Sequence, residues 1–352
     1  MVSIVRLSDV AKAAGVSQGT ASNVFNRPDI VRKEVRERVE ASARELGYAG
    51  PDPKGRLLRA GKVNAIGVAT AGPLSYFFED PYARVLMEAI AGACDGQGAG
   101  LALVSAANEE RLAWNIQSAI VDGFVLLCIR GGSRLVELTR ERRLPFVALG
   151  LESEDEAVPM VGIDDFEAAR LAADHVAALG HRRLVILALR LADGHVGRVG
   201  KGEIEAAVYR NSRFRIEGYR AGLATYGIAA DAVPVYETEN ERNSVEAALE
   251  DAFAAADPPT ALLAMSDRVA LCALEWLQRR GLCVPDDVSV IGLDGVPEGA
   301  CSQPPLTTIT QPIAAIGQAA VRMIFDDASA PRRERLDVVL TLRASTAPPR
   351  GG

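Results

Sequence analysis

The sequence predicts a chain with two main parts: a small all-α domain over residues 1–50, and an α/β body of doubly wound parallel sheets over residues 63–345. Residues 51–62 read as a linker and 346–352 as a flexible tail. Three observations carry this expectation. The 352 residues exceed the roughly 100–200 of a usual domain. Formal charge divides unevenly, +5 over residues 1–62 and −12 over the rest, within a net −7. The apolar pattern also changes along the chain, from short helical periods to continuous strand-length runs separated by amphipathic stretches. With 49% apolar and 24% charged residues, the composition is that of a globular protein and not of a disordered one.

The first 48 residues read as three short helices. Ser8 is a possible N-cap for D-V-A-K-A-A, Gly15 stops that helix, and Ser17 caps a second one through Val24. A third runs from about Arg32 to Leu46, with Val35, Val39, Ala43 and Leu46 at helical spacing and Gly47 as its C-cap. The linker P-D-P-K-G-R-L-L-R-A-G-K follows, with two prolines and two glycines. Strand-like runs then occur at Ala65–Thr70, Leu101–Ser105, Phe124–Ile129, Pro145–Leu149, Leu184–Leu189, Ala261–Met265 and Val288–Leu293. Continuous apolar strands alternating with helices indicate parallel sheets covered on both faces. The body is long for one such sheet, so two lobes are expected. Asp337–Arg343 reads as a last strand, and the closing dozen residues as a frayed tail.

Several function classes lose support at this level. Five widely spaced cysteines, Cys94, Cys128, Cys272, Cys283 and Cys301, read as reduced residues of a cytoplasmic protein. There is no C-x-x-C, and His175, His181 and His195 lack zinc-site spacing, so no metal and no cofactor are expected. No leader-like apolar run or membrane-length segment is present, which predicts a chain that is neither secreted nor membrane-spanning. G-H-V-G-R-V-G-K-G, within Leu191–Asn211, superficially resembles a phosphate-binding loop. It fails because His195 stands at the first glycine position and Gly202 at the hydroxyl position, and a flexible cleft flap is the better reading. Gly96–Gly100 ends a helix before a strand, the reverse of a dinucleotide fingerprint.

The sharpest local signal is Leu7–Asn26, L-S-D-V-A-K-A-A-G-V-S-Q-G-T-A-S-N-V-F-N. Two short helices joined by a tight glycine turn can place one across a DNA backbone and the N-terminal end of the other in the major groove. Ala11, Ala14 and Ala21 permit close helix approach, and Ser17, Thr20 and Ser22 can reach phosphates. Gln18 and Asn23 carry amides suited to adenine. A helical hairpin with no nucleic-acid role is the bland alternative.

This segment resembles the lactose-repressor (LacI/GalR) family of bacterial transcription regulators. Further landmarks recur in the family's order: A-L-G-H-R-R (Ala178–Arg183), R-I-E-G-Y-R-A-G-L (Arg215–Leu223), A-M-S-D-R-V-A (Ala264–Ala270), V-P-D-D-V-S-V-I-G-L-D (Val284–Asp294) and P-P-L-T-T-I-T-Q-P (Pro304–Pro312). The resemblance implies a helix-turn-helix head, a hinge helix, and a two-lobed effector domain like a periplasmic sugar-binding protein. It implies DNA contacts from Ser8, Ser17, Gln18, Gly19, Thr20, Ser22, Asn23, Asn26 and Tyr48, with Leu58 as a minor-groove wedge. Gly19, Ala21 and Asn23 depart from common family residues and imply a different operator half-site, while Gly55 weakens the hinge helix relative to the usual alanine.

In the body, polar residues just after apolar strands are the ligand candidates, because ligands of open α/β sheets lie beyond the carboxyl ends of strands. Asp294 and Asp267 meet that description, and Arg215 occupies the family's effector-binding arginine position. Asp267 suits helix capping equally well. Ser75, Phe78, Asp80 and Tyr82 of S-Y-F-F-E-D-P-Y are the first-lobe candidates, and Ser266 stands where several relatives carry Asn. The expected function is a homodimeric DNA-binding regulator, a repressor, whose partners are operator DNA and a small sugar-like effector, with no membrane. A solute-binding protein is the competing reading, opposed by the basic head. An enzyme is the third, opposed by the lack of a G-x-S-x-G elbow, a P-loop or paired catalytic carboxylates.

Overall fold

The computed structural model describes residues 5–50, 62–70, 72–127, 134–150, 155–326 and 332–350. It divides into two compact units, Met1–Val63 and Asn64–Gly352. Leu58 and Gly55, with the rest of linker residues 51–61, lie outside the described residues, as does Cys128.

The first unit holds helices Leu7–Ala13, Gln18–Asn26 and Lys33–Leu46. Its core is Val10, Ala11, Ala14, Ala21, Val24, Val39 and Ala43, and the four alanines let the helices approach closely. Ser17 caps the second helix, its Oγ accepting from the Thr20 N–H at 3.0 Å. Gly47 closes the third in the left-handed region at φ 69°. Two boundaries differ from the sequence reading. The first helix is entered at Arg6, whose N–H donates to the Asp9 carboxylate at 2.9 Å, so Ser8 lies inside the first turn and is not the cap. The second runs on to Asn26, just before Arg27-Pro28, where proline disfavours helix in its predecessor.

The second unit contains two sheets. The first has β1 (Ala65–Thr70), β2 (Gly100–Ser105), β3 (Gly123–Leu127), β4 (Phe146–Leu149), β5 (Met160–Ile163) and β12 (Arg333–Leu336), in the order β12-β5-β4-β3-β1-β2. All its pairings are parallel. The second has β6 (Leu184–Ala188), β7 (Gly197–Val199), β8 (Val235–Glu237), β9 (Ala261–Ala264), β10 (Ser289–Asp294), β11 (Thr307–Thr310) and β13 (Val339–Thr341), in the order β13-β11-β10-β9-β6-β8-β7. Its centre is parallel and its two edge strands antiparallel. Strands β3, β6, β9 and β10 are buried along their whole length, which is why they read as unbroken apolar runs; β5 is equally buried, but its four residues were not among those runs.

The chain passes between the lobes three times, after β5, after β11 and after β12. Helix Ile313–Phe325 follows β11 back onto β3, β4 and β5 of the first lobe. In the second lobe, helices Asp165–Ala178 and Arg210–Ala224 pack closely because Gly218 and Gly222 lie between them. A Cβ on Gly218 would fall 2.1 Å from the Phe166 carbonyl oxygen. That close approach sets Arg215 against Asp165.

Residues 191–211 are not a bare flap. They carry β7, helix Lys201–Glu205 and the start of helix Arg210–Ala224. Buried Glu237 pins the segment, accepting from the N–H groups of Leu191 and Ala192 at 2.6 and 3.1 Å and pairing with His195 Nδ1 at 2.9 Å. The C-terminal stretch is likewise not frayed over its described residues, which end at Arg350. Ser345 donates to the Val290 carbonyl and accepts from the Thr307 N–H, His181 Nε2 lies 2.8 Å from the Ala347 carbonyl, and Arg350 pairs with Asp286 at 2.6 Å. Among the described residues no helix is long and apolar enough to cross a membrane, and no cluster of His, Cys, Asp and Glu is placed to hold a metal.

Candidate functional site

Two surfaces carry the candidate chemistry. In the first unit, helix Gln18–Asn26 buries Ala21 and Val24 and leaves Gln18, Gly19, Asn23 and Asn26 exposed, with Thr20 and Ser22 half-buried. Gln18, Ser22 and Asn26 stand four residues apart on one face. Asn26 Nδ2 donates to Ser22 Oγ at 3.0 Å, and Ser17 and Thr20 exchange a hydroxyl contact at 2.9 Å. Gly19 adds no side chain, which brings the backbone near whatever the helix meets. Ser8 is exposed on the preceding helix. Tyr48 packs its ring edge-on to Phe25 at 5.6 Å, so it anchors the end of the third helix to the head core.

In the second unit, a cleft of about 430 Å³ opens between the lobes beyond the strand ends. Arg215 is buried at its wall, donating through Nε to Asp165 Oδ1 at 2.7 Å and through Nη1 to the Met265 carbonyl at 2.5 Å. Burial works against the Arg215 charge, but Asp165 and Asp294 outweigh it and push its pKa up. For Asp165, burial pushes the carboxyl up and Arg215 pulls it back. Asp294 ends β10 and lines the cleft, accepting from Gln311 Nε2 at 2.8 Å and from the Asp267 N–H at 3.1 Å. Burial, then the neighbouring charge of Asp267, holds the Asp294 carboxyl well above the usual range, against the pull of Arg215.

Asp267 itself does not face the cleft. Its Oδ2 accepts from the N–H groups of Gly295 and Val296 at 2.8 and 2.9 Å, and its Oδ1 accepts from Thr308 Oγ1 at 2.5 Å. One oxygen holds the turn after β10 and the other holds β11, so Asp267 is a structural carboxylate. Ser75 and Phe78 are also absent from the cleft lining, Phe78 being 68% exposed on the short helix Tyr76–Glu79. The aromatics that do line it from that segment are Tyr76 and Tyr82.

Asp80 and Ser266 line the cleft from opposite lobes, and each caps a helix. Asp80 Oδ1 accepts from the Ala83 N–H at 2.9 Å, and Ser266 Oγ accepts from the Val269 N–H at 3.1 Å. Asn240, in the left-handed region at φ 59°, joins them. Its Nδ2 donates to Asp80 Oδ2 at 2.8 Å, and its Oδ1 accepts from Ser266 Oγ at 2.7 Å. Arg268 lies 3.7 Å from Asp80, and Arg84 of the first lobe pairs with Glu298 of the second. These contacts tie the lobes together across the cleft. Sequence reading missed Asp165, Asn240, Arg268 and Gln311. The pair Asp164-Asp165 directly after the apolar V-P-M-V-G-I was the signal available for the first.

Residues 6–50 match the family described as bacterial regulatory proteins, lacI family, and residues 173–346 match a periplasmic binding protein-like domain. An HTH-type transcriptional regulator of Mycobacterium tuberculosis is 37% identical over 350 residues, covering 97% of each chain. The chain belongs to the lacI family of bacterial regulatory proteins. It is therefore a transcriptional regulator with a helix-turn-helix head. The transcriptional repressor CytR of Escherichia coli is 30% identical over 355 residues, covering 97% of this lacI-family chain and 96% of CytR. Among solved structures, the Lac repressor dimer bound to operator and the anti-inducer ONPF superposes with a TM-score of 0.77 at 26% identity, over 97% of this chain and 99% of that one. The complex of the regulator CelR with cellobiose gives 0.71 at 27% identity, over 97% and 99%.

Proposed function

We propose that this lacI-family protein is a homodimeric, cytoplasmic repressor that binds operator DNA through helix Gln18–Asn26 and is controlled by a small polar ligand in the interlobe cleft. Ser17, Gln18, Gly19, Thr20, Ser22, Asn23 and Asn26 meet the DNA, with Ser8 and Tyr48 supporting and Leu58 wedging the minor groove. Arg215, Asp294, Asp80, Tyr82 and Ser266 bind the ligand, a sugar or related metabolite. The observation that carries the reading is the cleft itself: a buried Arg215–Asp165 pair and Asp294 on one lobe face Asp80 and Tyr82 on the other. A ligand that touches both lobes biases their relative angle, and that equilibrium is the element an operator can sense. The relatives support this, since CelR has been solved with cellobiose and the Lac repressor with operator and ONPF.

The test joins two measurements on the full chain. A thermal-shift panel of sugars and nucleosides finds a ligand, and fluorescence anisotropy on an operator selected from random DNA measures affinity with and without it. Coupling of about 1–3 kcal/mol changes operator affinity roughly 5- to 150-fold, and operator changes ligand affinity by the same factor. A ligand that binds tightly and leaves operator affinity unchanged refutes the regulatory role of the cleft.

A further inference from the structure

We infer that Glu237 is a positioning residue for the cleft: it is not itself part of the lining, yet it fixes the wall that Arg190, Asp193, Tyr209 and Asn211 form. The inference rests on the effector reading above and adds a residue on which that site depends.

Strands β6 and β8 are parallel neighbours with Ala188 opposite Glu237, so both leave the second sheet at the end that faces the cleft. Three successive residues at the exit of β8 hold the chain that leaves β6. Glu237 Oε1 accepts from the N–H groups of Leu191 and Ala192 at 2.6 and 3.1 Å. Thr238 donates through its N–H and its Oγ1 to the Ala188 carbonyl, at 2.8 Å each, and Glu239 pairs with Arg190 at 3.1 Å. Of the three side chains, Glu237 reaches furthest along the segment.

Leu191 turns this grip into a position for the wall. Its N–H is held by Glu237, and its carbonyl accepts from the N–H groups of Val208 and Tyr209 at 2.8 and 3.3 Å. The two ends of the segment therefore meet at one residue, and the second end opens helix Arg210–Ala224, whose first turn carries Asn211. The Tyr209 hydroxyl donates to Asp193 Oδ1 at 3.0 Å, which joins the wall across the two ends. A carboxylate suits this task because its two oxygens accept from several donors at once, and at 1% exposed it needs them. Its second oxygen pairs with His195 Nδ1 at 2.9 Å, and the other nitrogen of that ring lies 3.7 Å from Glu203. The outer turn of the segment is thus fastened to the same group.

Hydrogen exchange read by mass spectrometry on the full chain tests the grip without a ligand. In Glu237→Ala the peptide over residues 190–200 should exchange at least about tenfold faster than in the wild type, while β9 keeps its protection. Glu237→Gln keeps one acceptor oxygen for Leu191 and Ala192, so its rise should be smaller, and this variant carries both measurements if Glu237→Ala does not fold. Calorimetry with cellobiose, ribose and adenosine then tests the consequence. For each probe that the wild type binds, Glu237→Ala should weaken binding at least about tenfold and Glu237→Gln less. Adding Asn211→Ala to either variant should cost less affinity than Asn211→Ala costs the wild type, because Glu237 acts through the same wall. Unchanged exchange over residues 190–200 in the Glu237 variants overturns the inference, and so does wild-type affinity in a variant whose segment has opened. A uniform rise in exchange that includes β9 also overturns it, since Glu237 would then hold up the whole lobe. No binding of any probe to the wild type up to about 10 mM counts against the effector reading alone, and the exchange measurement still decides the inference.

Discussion

Asp165→Ala isolates the buried ion pair on which the cleft is built. Arg215 is 7% exposed and Asp165 4%, so the substitution leaves a buried guanidinium with Asp294 as the other carboxylate acting on its charge. Removing one partner of a buried pair costs about 3–5 kcal/mol, because the other charge stays desolvated. In a unit this large each kcal/mol lowers the melting temperature by about 2 °C, so a fall of roughly 6–10 °C is expected. Asp165→Asn keeps an oxygen for Arg215 Nε and removes only the charge, so its loss should be smaller. Urea unfolding of the full chain is the assay, read through Trp276, which is buried in the second lobe. If Asp165→Ala costs less than about 1 kcal/mol, Arg215 is not held by Asp165 and the account of the cleft wall fails.

Gly218→Ala should give little folded protein, since the added Cβ would lie 2.1 Å from a backbone oxygen, and a circular-dichroism melt close to wild type would contradict that packing. Gln18→Ala and Asn23→Ala should each relax base preference at particular operator positions by about 1–3 kcal/mol, seen as broadened positions in a randomised-site selection. Burial lowers the pKa of His181 and of His175 below the usual 6.5. The unfolded chain then binds more protons in acid, so stability present above pH 6.5 is lost as pH falls below it, and His181→Gln should flatten that slope in urea titrations at several pH values. Two-fold symmetry doubles the contacts of one short recognition helix, so sedimentation should show a homodimer, and a stable monomer at working concentrations would count against the proposal.

Local rules were enough for the head. Ser17, Gly47 and the alanine spacing are signals read within a few residues, and helix capping and helix–helix approach act over that same range. The long buried strands were equally legible, because burial on both faces leaves an unbroken apolar run. Several short strands were not: β7 and β8 have three residues and β5 and β12 four, too few to show a period on their own. The cleft divides the same way. Arg215 and Asp294 could be picked out by motif and by position after a strand, whereas position alone left Asp267, beside the cleft-lining Ser266, open between ligand contact and helix capping, and its carboxylate turns inward to the Gly295 and Val296 amides. Asp165 lies 50 residues from Arg215, and Asp80 lies 160 from Asn240. No local pattern encodes such partners, since which carboxylate meets which guanidinium is decided by how two helices cross at Gly218 and how two lobes close, and so by packing over the whole unit.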